Sequence, residues 1–190
     1  MIQTALMEYC APTLAGIKTG NLFSLKSNSP EINQEIRNLN RILTRRGLRL
    51  IPIRRTGKRT LVYLYRPDRL MRDLLDPTAA EILREKGYSC KNPDSCVVEL
   101  VRHLQADEDF PHEIGLFLSY PPADVKAFIK SPCEGVKCCG CWKAYGNERE
   151  AQKTFELYQK CTAIYCRECR KGTPLESLIF DAENDLRFAI

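Results

Sequence analysis

The amino-acid sequence predicts an α+β protein, in which several helices cover a small mixed or antiparallel sheet of about four to six strands. Three observations indicate this class. A β-hairpin is expected at 48–66, helical patterns fill the middle of the chain, and GVKCCGCWKAY has the character of a late strand at 135–145. Because 190 residues suffice for one compact domain with a sizeable core, we expect a single domain over residues 1–190, with 172–190 as a loosely attached tail; two full domains are the less favoured alternative.

The N-terminal segment predicts one helix and two short strands. Residues 2–8 have the pattern of a short helix. The small, polar and apolar residues after it predict extended pieces at 13–17 and 21–25, with a turn at Thr19 and Gly20.

The clearest helix of the sequence follows at SPEINQEIRNLNRIL. Ser29 is a suitable N-cap, Pro30 suits the first helical position, and Gly47 ends the helix. LRLIPI and TLVYLYR then predict the hairpin, with Gly57 in its turn and Pro52 indicating an edge strand or a bulge. The apolar face of the helix recurs at helical spacing, at Ile32, Ile36, Leu39 and Leu43.

Helices dominate the chain after the hairpin. We expect them at Asp68–Leu75, Pro77–Lys86, VVELVRHLQ, FPHEIGLFLSY and PADVKAFIK. Asp76 is a suitable cap for the second of these helices, and Asp94 or Ser95 for the third. After the late strand, Asn147 and Glu150 resemble a capping box that opens a long last helix. The apolar face of that helix is expected at Ala151, Phe155, Tyr158 and Tyr165.

The composition is that of an ordinary globular protein. Of the 190 residues, 44% are hydrophobic and 28% are charged. The longest apolar runs, LVYLY and IGLFL, are far shorter than the roughly twenty residues that a membrane helix needs. The N-terminus has neither a basic leader nor a sustained apolar stretch. We therefore expect a cytoplasmic protein with no membrane partner.

Basic residues are concentrated in one part of the chain. Residues 1–72 contain 14 Lys and Arg against 4 Asp and Glu, and 11 of the 14 lie at 41–72. Such a cluster attracts phosphates or an acidic partner. The alternative is a solvated face whose long stems cover apolar surface, since no aromatic residues are interleaved for stacking on bases. Both readings stay open; if the cluster binds a partner, nucleic acid or an acidic protein would contact Arg45, Arg46, Arg54, Arg55, Lys58 and Arg59.

The ten cysteines allow metal, redox and packing roles. In a reducing cytosol they would be free thiols, metal ligands or redox groups. Cys139 and Cys141 form a CxC pair and Cys166 and Cys169 a CxxC pair, and thiolates suit zinc or an iron–sulfur cluster. The spacing departs from common zinc motifs, and adjacent residues of a strand face opposite sides. We therefore favour packing as small buried hydrophobes, with the metal site as the alternative.

Two other groups of residues could carry chemistry. His112 and Glu113 suit proton transfer, although the segment is not an HExxH zinc motif because position 116 is Leu. Cys10, Lys18 and Asn21 lie in CAPTLAGIKTGNLF, where a lysine could activate a thiolate. The alternatives are a helix start with local hydrogen bonds and a buried structural cysteine. The sequence contains no P-loop, Rossmann or serine-hydrolase motif.

Three segments carry a resemblance: CAPTLAGIKTGNLFSL, FPHEIGLFLSYPPADVKAFI, and KCCGCWKAYG with the helix after it. Together they resemble the domain-of-unknown-function 3793 family, found mostly in anaerobic Firmicutes. The resemblance covers nearly the whole chain and implies a cytosolic single-domain protein, but no reaction and no catalytic residues. In the third segment Cys138 matches the family's pattern, whereas Cys139 and Cys141 depart from it. The resemblance therefore lowers the expectation of a metal site.

These observations lead to one preferred hypothesis and two alternatives. We expect a ligand-handling or thiol-dependent protein with Cys10, His112 and Glu113 as catalytic residues. The alternatives are a non-catalytic binding module that uses the basic patch, and a zinc or iron–sulfur protein that uses the late cysteines. Whether the protein is an enzyme is left open. In the preferred hypothesis a small molecule is bound by Lys18, Asn21, Tyr120, Cys138, Trp142 and Lys143.

Overall fold

The structure, a computed structural model, describes residues 2–26, 30–106 and 110–180. It contains a three-stranded antiparallel sheet, a two-stranded sheet and several helices, so the predicted α+β class is confirmed. No helix in these three ranges is long and apolar enough to cross a membrane.

The chain divides into two compact units. The first unit comprises Met1–Arg66 and Lys160–Ile190, and the second unit comprises Pro67–Gln159. Each has its own set of packed helices and its own strands. The single domain over 1–190 stays a prediction.

The first unit is built around the three-stranded sheet. Its strands lie in the order β1-β3-β2, and both pairs are antiparallel, so the predicted hairpin is confirmed. Pro52 lies on the edge strand β2, beside a bulge between Pro52 and Arg54, as its sequence position indicated. The elements are α1 (Ile2–Tyr9), α2 (Ala11–Leu14), β1 (Gly20–Leu25), α3 (Pro30–Leu43), a 3₁₀ turn (Thr44–Arg46), β2 (Arg49–Thr56) and β3 (Arg59–Tyr65).

Helix α3 packs its apolar face onto this sheet. Gly47, just past the 3₁₀ turn, has a φ of 69°, the left-handed conformation that glycine adopts after a helix. Ser29, the predicted N-cap, lies outside the described residues. The predicted apolar face is confirmed, because one buried cluster with α1 and the sheet contains Ile32, Ile36, Leu39 and Leu43.

The prediction of an extended segment at 13–17 is wrong. Residues Ala11–Leu14 form α2, with Pro12 in the first turn, where a helix does not need the missing N–H. The chain then turns through Gly16, whose φ of 74° is left-handed, and enters β1. The second extended piece, at 21–25, is confirmed as part of β1.

The second unit is mainly helical. The Asp76 carboxylate caps α5 as predicted, accepting hydrogen bonds from the N–H groups of Thr78 and Ala79. Asn147 caps α9, since its side-chain oxygen accepts from the Glu150 N–H. The elements are α4 (Pro67–Leu74), α5 (Pro77–Glu85), α6 (Pro93–Ala106), α7 (Ile114–Phe117), α8 (Pro122–Lys130), β4 (Cys138–Cys139), β5 (Lys143–Ala144) and the first part of α9 (Glu148–Arg170).

Two helix expectations in this unit need correction. Helix α6 begins at Pro93, and its cap is Asn92, whose side chain accepts from the Ser95 N–H at 2.8 Å. The helix expected over FPHEIGLFLSY is only the short α7. It stops there because Ser119 has a left-handed φ of 59° and Pro121 follows two residues later.

The late strand expected at 135–145 is instead a tight hairpin of β4 and β5. At its tip the Gly140 N–H donates to the Trp142 carbonyl oxygen at 3.0 Å. A Cβ at Gly140 would overlap the Phe155 ring of α9. The reversal therefore needs glycine, because only glycine leaves room for that ring.

The segment after α9 belongs to the first unit. It contains α10 (Leu175–Leu178), and the Tyr165 hydroxyl donates to the Leu178 carbonyl oxygen. Leu175 and Ile179 are buried in the same cluster as the face of α3. Residues 181–190 of the predicted tail lie outside the described residues.

A buried arginine joins several parts of the first unit. Arg66 is only 8% exposed, and its guanidinium donates to the carbonyl oxygens of Thr13, Leu14 and Phe180, each at 2.9 Å. The first two carbonyls belong to the end of α2, where carbonyl groups lack helical partners. The five N–H donors of arginine allow one side chain to satisfy all three acceptors.

We expect Arg66→Met to lower the free energy of unfolding by about 3 kcal/mol or more, because the carbonyl groups of Thr13, Leu14 and Phe180 lose their hydrogen bonds to a buried, charged donor. Urea denaturation followed by circular dichroism measures this change. Arg45→Met, which removes an equal charge from an exposed position, is the control and should unfold like the wild type. Equal denaturation midpoints for Arg66→Met and the control would contradict a stabilising role of the Arg66 hydrogen bonds.

Candidate functional site

The second unit contains a pocket of about 160 Å³. Four aromatic side chains line it: Phe110, Tyr120, Phe128 and Trp142. Aliphatic and small residues complete the wall: Ile114, Gly115 and Val125. The polar lining residues are His112, Asp124 and Lys143. A cavity of roughly 150 Å³ is large enough for one benzene-sized ring.

Three segments form the pocket, and a glycine lets two of them approach. The segments are residues 110–120 around α7, helix α8, and residues 142–143 of the hairpin. A Cβ at Gly115 would lie 2.8 Å from Val125 Cγ2 and 3.0 Å from Tyr120 Cδ2. Glycine at this position therefore allows α7 to pack closely against α8.

A run of aromatic rings forms one wall. The rings of Tyr120 and Trp142 stack with centroids 5.2 Å apart, and Trp142 meets Phe155 edge-on at 4.5 Å. The left-handed Ser119 turns the chain directly before Tyr120. Burial, and then the nearby Cys141, raise the pKa of Tyr120 to about 12, so its phenol is neutral at physiological pH.

The Asp124 carboxylate attaches the hairpin to the start of α8. It is 5% exposed and accepts hydrogen bonds from the Trp142 Nε1–H at 2.8 Å, the Tyr145 N–H at 2.9 Å and the Gly146 N–H at 2.8 Å. Asp124 also lies in the first turn of α8, where the helix dipole favours a negative charge. The carboxylate therefore fixes Trp142 in the pocket wall.

Two cationic or proton-donating side chains lie beside the Phe128 ring. The Lys143 Nζ is 5.6 Å from the ring centroid and donates to the Pro132 carbonyl oxygen at 2.9 Å. The His112 ring meets Phe128 edge-on, with centroids 5.0 Å apart. His112 and Phe110 are exposed, so they border the open side of the pocket.

The family model described as "Protein of unknown function (DUF3793)" matches residues 6–179. The chain belongs to this family. The match spans residues of both units, and the resemblance seen in the sequence is confirmed. No curated protein and no solved structure matches the chain. The family's description names no function.

The pocket brings together four residues that the sequence suggested: His112, Tyr120, Trp142 and Lys143. Cys138 and Glu113 belong to the same unit but do not line the pocket. Cys10, Lys18 and Asn21 belong to the first unit. A single site formed by all of these residues, as the sequence predicted, stays a prediction.

His112 and Glu113, the two residues suggested for proton transfer, have different surroundings. Glu113 is 2% exposed, and its Oε1 accepts from the Tyr88 hydroxyl at 3.0 Å and lies 3.2 Å from the His103 Nδ1. Burial, followed by the Glu113 charge, raises the pKa of Tyr88 well above its ordinary value. Glu113 thus has His103 as its histidine partner, whereas His112 lies at the pocket.

Cys10 has the surroundings of a packing residue. It is fully buried, and this burial raises the pKa of its thiol far above the ordinary value, although the Lys18 charge lowers it in part. A protonated, inaccessible thiol is a poor nucleophile. Asn21 accepts a hydrogen bond from the Thr13 hydroxyl at 2.7 Å. A catalytic Cys10 stays a prediction that these features do not favour.

The late cysteines are divided between the units. Cys139 and Cys141 are exposed on the hairpin of the second unit, and Cys166 and Cys169 lie on the part of α9 in the first. Over residues 2–26, 30–106 and 110–180, no three His, Cys, Asp or Glu side chains form a group that could hold a metal ion. The four-cysteine metal site stays a prediction.

One cysteine pair departs from the expectation of free thiols. Cys90 and Cys96 are joined by a disulfide, with Cα atoms 4.7 Å apart. The cap of α6 folds the intervening loop tightly, because the Ser95 hydroxyl accepts from the N–H groups of Lys91 and Asn92. The cytoplasmic location, which was expected from the short apolar runs and the lack of a leader, stays a prediction.

Four lining residues had no functional role predicted from the sequence: Phe110, Asp124, Val125 and Phe128. PADVKAFIK was assigned to a helix but given no role. The spacing of Asp124 and Phe128, four residues apart, places both side chains on one face of that helix. This face was the signal that could have identified them.

We expect Asp124→Ala to lower the free energy of unfolding by roughly 3 kcal/mol, since three N–H groups lose a charged acceptor. The emission of Trp142, the single tryptophan of the chain, should shift to longer wavelength as water reaches the indole. Urea denaturation and fluorescence spectra measure both effects. Glu134→Ala, at an exposed position between α8 and β4, should change neither. Wild-type stability and emission in Asp124→Ala would contradict this role.

Proposed function

We propose that the pocket of the second unit binds a small molecule whose body is one ring or an apolar group of similar size. The observation that carries the proposal is the lining: four aromatic rings line the space, and two polar side chains, His112 and Lys143, lie beside one of them. Pockets of mainly apolar lining with a few convergent polar groups are the usual form of small-molecule sites.

The size of the pocket restricts the ligand. Pockets for drug-sized ligands usually measure about 300–1,000 Å³, and this pocket, at about 160 Å³, is smaller. It cannot enclose a dinucleotide or a flavin, whereas a single substituted ring would fill it. The ligand-handling part of the hypothesis is therefore the part that the geometry supports.

The lining supports binding more directly than thiol chemistry. None of the ten lining residues is a cysteine. Cys141 is exposed at the tip of the hairpin and affects the pocket through the pKa of Tyr120. We therefore assign ligand binding to the aromatic wall and the His112–Lys143 side, with no reactive thiol in the pocket.

Trp142 provides a direct test, because it lines the pocket and is the single tryptophan of the chain. We expect single-ring compounds to change its fluorescence in a saturable manner. Phe110→Ala removes an aromatic contact at the rim and should weaken binding about three- to tenfold. Its matched control is Val98→Ala on α6, which removes a similarly exposed apolar side chain and should bind like the wild type.

The proposal is contradicted if no single-ring compound gives saturable fluorescence changes. It is also contradicted if Phe110→Ala and Val98→Ala bind every compound equally well. Circular dichroism spectra of both variants establish that they are folded before binding is compared.

The basic patch supports a second candidate function, binding of nucleic acid. In the first unit the 3₁₀ turn and the β2–β3 hairpin carry its six residues. Arg55, Lys58 and Arg59 are exposed around the hairpin turn, and Arg55 donates a hydrogen bond to the side-chain oxygen of Asn33. A basic hairpin that projects several charges together favours contact with phosphates.

We expect the wild type to bind single-stranded nucleic acid with an affinity that falls steeply with salt. Replacing four patch residues by alanine should reduce the slope of log K against log[salt] by about three. The replaced residues are Arg54, Arg55, Lys58 and Arg59. The control removes the same charge from the second unit, by alanine at Lys86, Lys91, Lys130 and Lys153. Fluorescence anisotropy measures binding. A wild-type affinity that does not depend on salt, or an equal loss of affinity in both variants, would contradict a role of the patch in binding nucleic acid.

A further inference from the structure

We propose that the ligand of the pocket is a carboxylic acid in its anionic form, with an aromatic or similarly compact apolar body, and that Lys143 and His112 bind its carboxylate. This inference rests on the proposed function, since it names the chemical class of molecule that the same pocket takes. It follows from the arrangement of charge around the pocket.

Lys143 has donors available for an anion. Its ammonium carries three N–H groups, and one of them donates to the Pro132 carbonyl oxygen. Among the residues that the structure describes, no carboxylate forms an ion pair with it. The Phe128 ring below the ammonium holds this charge beside the pocket by a cation–π contact. Two donors of a fixed cation therefore remain for a ligand.

His112 supplies a second donor next to the same ring. Neither of its ring nitrogens has a hydrogen-bond partner in the described ranges, and its one ring contact is the edge-on contact with Phe128. A neutral imidazole offers one N–H and an imidazolium offers two. Both side chains line the pocket beside Phe128, so the proposed carboxylate has two candidate donors there, one for each of its oxygens.

The pocket's own carboxylate does not compete for these donors. Both oxygens of Asp124 are engaged by the three N–H groups of the hairpin. An organic cation is disfavoured in turn, because Lys143 already holds the cation position over Phe128 and a second positive charge would be repelled. Of the two charge types, the anion is the one for which the pocket has donors.

The apolar body of the ligand would lie against the aromatic wall. Tyr120 and Trp142 form that wall, and the neutral phenol of Tyr120 adds no negative charge to it. The pocket volume of about 160 Å³ accommodates one ring with its carboxylate at the open side. Benzoate is therefore a suitable probe, and benzamide and benzylamine are its neutral and cationic counterparts with the same ring.

The test compares these three probes by titration of Trp142 fluorescence at low ionic strength, with ligand-observed NMR as a second readout. We expect benzoate to bind at least about tenfold more tightly than benzamide, and benzylamine to bind most weakly. Lys143→Met keeps the length of the side chain but removes the charge. It should weaken benzoate binding about tenfold and leave benzamide binding within about twofold. Lys143→Arg should retain most of the preference for benzoate.

His112→Ala provides an independent variant at an exposed position, where loss of folding is not expected. It should weaken benzoate binding more than benzamide binding. Equal wild-type affinities for benzoate and benzamide, tighter binding of benzylamine, or an equal loss for both probes in Lys143→Met would overturn the carboxylate assignment while the pocket remains a binding site. If none of the three probes binds, both the assignment and the proposed function are overturned.

Discussion

A carboxylate buried in protein is costly unless hydrogen-bond donors surround it, and the candidate site depends on one that is so surrounded. Asp124 accepts three hydrogen bonds from residues that are distant in sequence. The donors are the indole N–H of Trp142 and the backbone N–H groups of Tyr145 and Gly146. These bonds determine where the hairpin lies on α8. They also present the Trp142 face and the Lys143 side chain to the pocket, so one buried charge positions both the apolar wall and the cation.

In the first unit a buried positive charge joins segments in a similar way. The Arg66 guanidinium donates hydrogen bonds to carbonyl groups at the end of α2 and at Phe180, which lie far apart in the sequence. The last carbonyl groups of a short helix such as α2 have no α-helical partners, and a buried arginine adds donors for them where water is excluded. In both units, then, an ionised side chain is stabilised by backbone or indole groups, and it fixes a short irregular segment that has little regular secondary structure of its own.

The parts of the fold that were predictable are those set by local patterns. The apolar spacing on α3, the turn at Gly57 and the capping carboxylate of Asp76 each act within a few residues, and each prediction was confirmed. The late hairpin was not predictable in this way. It depends on contact between Gly140 and the Phe155 ring, fifteen residues later, which local alternation of side chains cannot reveal.

The same distinction applies to the candidate site. His112 and Glu113 are neighbours in sequence, yet one borders the pocket and the other is buried against Tyr88 and His103. Sequence adjacency suggested a catalytic pair, whereas the side chains of adjacent residues in a turn or a helix point in different directions. Asp124 and Phe128 were missed for the opposite reason, since their importance comes from contacts with segments outside their own helix.

In the cysteine-rich segment KCCGCWKAY, the residues that form the pocket are not the cysteines. Cys139 and Cys141 are exposed, and neither lines the pocket. Gly140 permits the reversal of the chain, and Trp142 and Lys143 line the pocket. A hairpin this short has few backbone hydrogen bonds to stabilise it, so the Asp124 contacts and the packing of Trp142 on Tyr120 and Phe155 are needed to define its conformation. The value of the segment to the pocket therefore lies in the residues between and after its cysteines.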